Sequence, residues 1–461
     1  MRYTRCSFLA KRFSSQLPCC RAQIVPLHRG LQLATMSTNR PRYKHIDDVE
    51  RLDYYEKGGY HPLQTGDYLQ KRYRIVHKLG FGSYSTIWLV RDEQLSKYVA
   101  IKVGTASSNH KEIDILSRLA NHPAGDKSLG TSLIPPVLDR FNVHGPNGTH
   151  PCFVTVPAMC SLADAIAAGD HEPFQTSVAR SLAAQLAMAV AHMHSVGFVH
   201  GDLHFGNLLL QLPAGLDDLT VQQLYDQYDM PEPEPVVPEE GQPLSLPGVP
   251  AHVYAPIWMG KPSNEISLGE SKLFLADFGT AFCPDEEPRF ESYTPLEIRP
   301  PEARFEPTQP LTFASDAWSL GCMIWAILGV KPFLGAWLFG PESAAAAQID
   351  ALGPMPYGWW EKWQAKTKTE SFDGNGRPKP GREVWTFEQR FEDSIQQPRR
   401  EGGMEVIADD EREAIFEMIK GMLKFCPCDR MTVQQVLETE WMRKWAIPGA
   451  EKSWQTRDTF F

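Results

Sequence analysis

No aspartate or glutamate occurs before Asp47, no uncharged apolar run is long enough to cross a bilayer, and no cysteines fall at a zinc or disulfide spacing. The acid-free start carries Arg2, Arg5, Lys11, Arg12 and Arg21 among serines, which is the composition of a mitochondrial presequence. A disordered basic tail over residues 1–46, or an upstream extension of a protein that starts at Met36, has the same composition. The longest uncharged apolar run, Ala317 to Val330, is too short to span a membrane, contains glycine, and reads as a buried core helix. No transmembrane segment is expected. Nine cysteines is an odd count, and Cys426-Pro427-Cys428 has no second pair to complete a tetrahedral metal site. That excludes a disulfide framework and a structural metal, and a reducing compartment is the simplest reading.

A net charge of -10 argues against nonspecific binding to nucleic acid or anionic membrane and leaves room for a basic protein as partner. With 461 residues, 42% hydrophobic and 22% charged, the chain can bury substantial cores. Tyr73 to Leu79, Thr86 to Arg91 and Tyr98 to Val103 are rich in β-branched and aromatic residues and read as antiparallel strands around a glycine turn. A helix should follow, with Glu112, Leu116 and Leu119 on one face and Asp114 and Arg118 as an outward i,i+4 pair. Cys152 to Val156 reads as another strand. Val178, Leu182, Leu186 and Val190 repeat at helical spacing in a segment ending near Gly197. Further helices are expected over Ser315 to Leu328, Asp410 to Phe425 and Val433 to Trp441, and a loop at Asp373-Gly374-Asn375-Gly376.

Residues 212–270 interrupt that order. Pro231-Glu232-Pro233-Glu234-Pro235 and Pro238-Glu239-Glu240 make the stretch acidic and proline-rich, so it reads as a surface insertion unable to pack a core. The divisions expected are therefore the tail 1–46, a sheet lobe 47–156, and a helical lobe 157–461 that carries the insertion.

Glycines between two strands, in Leu79-Gly80-Phe81-Gly82-Ser83-Tyr84-Ser85-Thr86-Ile87, let backbone amides close over phosphates, although an ordinary glycine hairpin has the same look. The turn opens a strand instead of a helix and lacks Gly-Lys-Ser/Thr, which excludes dinucleotide-binding and P-loop motifs. On the next strand but one, Val99-Ala100-Ile101-Lys102 sets an ammonium in an apolar strand, where it must meet an anion. Phosphates and Glu112 are the candidates.

Val199-His200-Gly201-Asp202-Leu203-His204-Phe205-Gly206-Asn207 resembles the catalytic loop of protein kinases, and Ala276-Asp277-Phe278-Gly279 resembles their second metal-binding motif. Arg299-Pro300-Pro301-Glu302, Asp316 to Gly321, and Arg430 stand where that family closes the activation segment and anchors the loop. Within it, Gly58-Gly59-Tyr60-His61-Pro62, Ser85-Thr86-Ile87-Trp88-Leu89 and the insertion resemble the SR-protein kinases of the fungal type.

The resemblance implies an α+β bilobal fold and a serine/threonine kinase that uses ATP and Mg2+. Asp202 would be the proton acceptor, Lys102 the phosphate clamp, His204 a donor to the transferred phosphate, and Asn207 and Asp277 the metal ligands. ATP would contact Leu79, Gly80, Phe81, Gly82, Ser83, Tyr84, Ser85, Ile87, Ala100, Lys102 and Glu112, with Thr155, Val156 and Met159 at the adenine. The implied substrates are arginine/serine-rich proteins of mRNA processing; a monomer in cytoplasm and nucleus is expected, with mitochondria the alternative if the tail is a presequence.

Three departures qualify this. His204 replaces the usual lysine, Gly201 replaces an arginine that binds a phosphorylated activation loop, and Ser85 replaces the last loop glycine. Two other functions stay open: a small-molecule phosphotransferase of the aminoglycoside or choline kinase type, and a nucleotide-binding pseudokinase scaffold. Asp409, Asp410, Glu411 and Glu413 read as a solvated helix start, where acids favour the dipole.

Overall fold

A computed structural model of the chain describes residues 43–121, 129–239, 247–335 and 340–456. The expectations for residues 1–42 lie outside the described residues. From Tyr68 onward, alternating apolar side chains build six antiparallel strands in the order β1-β2-β3-β4-β6-β5. These are β1 (Tyr68–Leu69), β2 (Tyr73–Gly82), β3 (Ser85–Asp92), β4 (Lys97–Gly104), β5 (Asp139–Gly145) and β6 (Gly148–Thr155). One face buries Tyr73, Ile75, Trp88, Val90, Val99, Ile101, Val103, Cys152 and Val154 as a single cluster. β2 and β3 meet at Gly82 opposite Ser85, so Ser83 and Tyr84 form the tip of the glycine turn. Register shifts between Ile75 and His77 and between Lys78 and Gly80 bend the strand into that turn.

Helix α1 (Lys111–Ala120) follows β4 and buries Ile113, Ile115, Leu116 and Leu119. The expected Asp114–Arg118 pair does not form. Arg118 instead donates to both carboxylate oxygens of Glu286, 168 positions away, because a bidentate guanidinium–carboxylate pair outcompetes a single helical contact.

Beyond the short α2 (Leu129–Ser132), the chain turns helical. The main core gathers around α4 (Thr176–Ser195), which α3 (Leu162–Ala168) precedes, and α7 (Phe313–Leu328), which α6 (Glu302–Phe305) precedes. Between them a small sheet in the order β11-β8-β7 joins β7 (Ala158–Ser161), β8 (Leu208–Gln211) and β11 (Leu273–Leu275). The whole is mixed α+β, antiparallel sheet first and helices after. Arg430 clasps Glu302 with Nη1 and Nη2 at 2.7 and 2.6 Å, deep inside this part.

Two expectations are corrected here. Glu411 is buried, paired with Arg180 and accepting from the Trp441 indole at 3.1 Å, so only part of the Asp409–Glu413 cluster is a solvated helix start. The insertion, in turn, does pack a core. It forms α5 (Val221–Tyr228) and a two-stranded ribbon, β9 (Glu234–Pro235) with β10 (His252–Val253). Leu216, Leu224, Ile257 and Met259 are buried against Val76, Leu89 and Tyr98 of the sheet. Asp217 accepts from the Tyr98 backbone at 2.7 Å, and Tyr225 donates to Val76 O at 3.0 Å. Glu232, Pro233, Glu234 and Pro235 are exposed as composition demands, whereas Pro231 is buried along with the apolar residues nearer either end.

Among the described residues no helix is long and apolar enough to cross a membrane. Cys152, Cys160, Cys283, Cys322, Cys426 and Cys428 are free thiols.

Candidate active site

Strand alternation sends Ile101 and Val103 into the sheet core and turns Lys102 to the opposite face. There its Nζ lies 2.7 Å from Glu112 Oε1 and 3.0 Å from Asp277 Oδ1. Burial disfavours the charged ammonium, but the two carboxylates outweigh it and raise the Lys102 pKa. The same contact acts on the partner: the Lys102 charge holds Asp277 below its ordinary value against the opposing cost of burial. Asp277 adopts a left-handed backbone, φ +61°, a conformation in which aspartate is tolerated and functional residues concentrate.

The turn above them is open. A Cβ placed on Gly80 or Gly82 would meet nothing within 4 Å, and Phe81, Ser83 and Tyr84 are exposed, while Ser85 is buried at the start of β3. Ile87 is cross-strand from both Gly80 and Lys102. Leu79 packs against the cluster of Val76, Leu89 and Leu216. At the other end, Thr155 closes β6 directly opposite Ala100, with its hydroxyl buried and without a partner. Val156 follows it half-buried, and Met159 sits in β7 with its side chain in the helical core.

The loop between α4 and β8 is held by one buried carboxylate. Asp316 accepts the backbone N–H groups of His200 and Gly201 at 2.7 and 3.1 Å, and His194 Nε2 lies 3.0 Å from it. Burial raises its pKa, yet these contacts prevail and keep it low, hence charged. Gly201 takes φ +76°, which an arginine would adopt only with strain. Asn207 Nδ2 donates to Asp202 O at 2.9 Å, and Ala276 N donates to Asn207 O at 2.9 Å, which ties this loop to the start of the Asp277 motif. Asp202 Oδ1 is buried with no hydrogen-bond partner. His204 Nδ1 accepts the Gly206 N–H at 3.1 Å, and its Nε2 stands 3.7 Å from Asp202 Oδ2.

Two neighbours were missed by motif reading. Arg299, noted only as the residue before Pro300, donates from Nε to Thr294 O at 2.9 Å; burial lowers its pKa, while the charges of Glu297 and Asp202 act to raise it. Tyr60 donates its hydroxyl to Gly82 O at 2.7 Å. Nothing in local sequence signals a contact over that separation.

The arrangement brings an ammonium, three carboxylates and an asparagine to one cleft between a sheet and a helical core, which is a protein kinase domain. Known proteins agree: the protein kinase domain profile matches residues 73–217. A serine/threonine protein kinase of Aspergillus fumigatus is 26% identical over 441 residues, covering 91% of this chain and 99% of that protein. The serine/threonine-protein kinase SRPK of Physarum polycephalum is 25% identical over 410 residues, 85% of this chain and 91% of its own. Human SRSF protein kinase 3 is 31% identical over 172 residues, 36% of this chain and 30% of its own. The chain is a serine/threonine protein kinase with homologues among the SR-protein kinases, and ATP is its phosphoryl donor.

Proposed function

We propose that the chain phosphorylates arginine/serine-rich proteins that take part in mRNA processing, with Asp202 accepting the proton of the serine or threonine hydroxyl. The observation that carries the mechanism is the buried, unpartnered Asp202 Oδ1 on a main chain that Asn207 and Asp316 hold in place. An acceptor left without a partner at a cost of about 1–3 kcal/mol supports a site whose partner arrives with substrate.

Lys102 is assigned to the α/β-phosphates, kept charged and aimed by Glu112. The glycine turn is assigned to the phosphates and Thr155, Val156 and Met159 to the adenine pocket. Asp277, beside Lys102, and Asn207, tied through its carbonyl to Ala276, offer hard carboxylate and amide oxygens, a donor set that suits Mg2+, and they would hold it. When bound, Mg2+ neutralises charge on the phosphates. In the transfer step the hydroxyl oxygen bonds to the γ-phosphorus as the bond to the β-phosphate oxygen breaks, and the hydroxyl proton passes to Asp202. His204 Nε2–H is assigned to the transferred phosphate.

The names of the SRPK and SRSF protein kinase homologues, with the net charge of -10, support basic arginine/serine substrates. We read the chain as acting as a monomer, in the cytoplasm and nucleus where such substrates are expected. We likewise assign residues 47–156 and 157–461 to the two lobes.

The test offers the purified protein, Mg2+ and labelled ATP to an arginine/serine peptide, a basic peptide without serine repeats, and choline or an aminoglycoside. The arginine/serine peptide should be labelled fastest. Asp202→Ala should abolish labelling and still bind ATP; turnover equal to wild type would refute the assignment. Transfer to the small molecules alone would refute the protein substrate.

A further inference from the structure

The segment ahead of the sheet has no part in the mechanism above, yet it reaches the glycine turn. Tyr60 is 3% exposed, and its hydroxyl donates to Gly82 O at 2.7 Å. Burial pushes that hydroxyl up to about 12, so it remains a donor. The tyrosine is itself held firmly. Its N–H donates to Tyr54 O at 3.0 Å, its carbonyl accepts from Asn147 Nδ2 at 2.7 Å, and its ring packs against Tyr55 at 5.5 Å between centroids. A Cβ on the preceding Gly59 would stand 1.8 Å from Tyr54 O, so only glycine permits this path.

The strap also reaches the turn by a second route. Gly58 and Gly59 accept from Ser107 and Ala106 at 2.8 and 2.9 Å, and the adjoining Thr105 N–H donates to Tyr84 O at 2.8 Å. Glu50, in the same segment, forms a buried ion pair with Lys78 on β2, and Tyr55 donates its hydroxyl to Glu50. The turn has little side-chain packing of its own, as the open space around Gly80 and Gly82 shows. Beyond the β2–β3 pairing that ends at Gly82 and Ser85, the hydrogen bonds to the Gly82 and Tyr84 carbonyls are therefore what fix its height.

We propose that Tyr60 is a positioning residue for phosphoryl transfer, its hydroxyl setting the glycine turn over the nucleotide phosphates. This rests on the assignment of the turn and Lys102 to ATP. The geometry gives the reason. In a planar trans peptide the carbonyl of Gly82 and the N–H of Ser83 point in opposite directions. Drawing Gly82 O toward Tyr60 fixes the Ser83 N–H on the side away from Tyr60, where an amide can meet phosphate oxygen.

The test is Tyr60→Phe in the full chain, which keeps the ring and removes only the donor. Loss of one hydrogen bond predicts a rise of about fivefold in the KM for ATP, with the peptide KM unchanged. Hydrogen exchange should accelerate at residues 80–86 and not across the sheet, with Tm nearly unchanged. Asn147→Ala, which frees the Tyr60 carbonyl, should shift the ATP KM the same way. An unchanged ATP KM with unchanged exchange in the turn would overturn the proposal, as would exchange rising uniformly over the sheet. Lys102→Ala separates the two readings: if it leaves ATP binding intact, the nucleotide assignment itself fails; if it weakens binding while Tyr60→Phe does not, only the strap fails.

Discussion

Arg118 on α1 and Glu286 in the segment after Asp277 form a bidentate pair, with Nη1 and Nη2 each 3.0 Å from a carboxylate oxygen. Two turns earlier on the same helix, Lys111 pairs with Glu287 at 2.5 Å. Two carboxylates thus hold the helix that presents Glu112 to Lys102, in the manner of a phosphate on an activation segment. Gly201 offers no arginine to receive such a phosphate. The expected outcome is that phosphatase-treated protein keeps full activity, whereas Glu286→Ala with Glu287→Ala lowers kcat about fivefold at low salt. Steady-state kinetics before and after phosphatase treatment check both statements.

Arg430 and Glu302 join residues 128 positions apart through two short contacts, and both side chains are buried. Removing one partner strands the other charge in a low-dielectric core. Glu302→Ala is therefore expected to destabilise the protein by about 3–5 kcal/mol, read from urea denaturation. A loss under about 1 kcal/mol would mean that the pair is hydrated.

Much of the cleft was legible because its geometry is local. Lys102 follows from strand alternation between Ile101 and Val103, and Asp202 with Asn207 from a short loop whose ends a helix and a strand define. The insertion core was not legible. One stretch carries a helical period, Val221, Leu224, Tyr225 and Tyr228, which the prolines and acids after it outweighed; Leu216, Ile257 and Met259 show no such period and find burial against Val76, Leu89 and Tyr98 of a distant sheet. Arg118 misled for a related reason: helical spacing names Asp114, but tertiary approach supplies Glu286. Glu411 is the same case, since Arg180 is invisible from its own helix.

His204 is held in one tautomer. With Nδ1 accepting the Gly206 N–H, the neutral ring carries its proton on Nε2, facing Asp202 Oδ2 at 3.7 Å. His204→Ala removes that donor and is expected to lower kcat about tenfold with little change in the KM for ATP, while His204→Lys restores most of the rate. Equal kcat for wild type and His204→Ala would remove the histidine from the mechanism.

Leu224 is fully buried between α5 and the sheet, although it belongs to the insertion. Its truncation to alanine leaves a cavity that the surrounding strands cannot fill. Leu224→Ala is expected to cost about 2–5 kcal/mol in thermal or chemical denaturation. A surface decoration would lose almost nothing.

His61 and His77 are buried and held neutral, burial lowering each from an ordinary 6.5 to about 4; the neighbouring His150 lowers His61 further. Between those values the unfolded chain binds a proton that the folded chain refuses. Stability therefore falls as pH drops from 6.5 toward 4, by about 1.4 kcal/mol per unit for each group fully in that window, and is flat above 7 on their account. His61→Gln should flatten the slope of unfolding free energy between pH 6 and 4.5, measured by urea titration at several pH values. An unchanged slope would show that the His61 ring takes up its proton without unfolding, and that the His61–His150 contact opens to water.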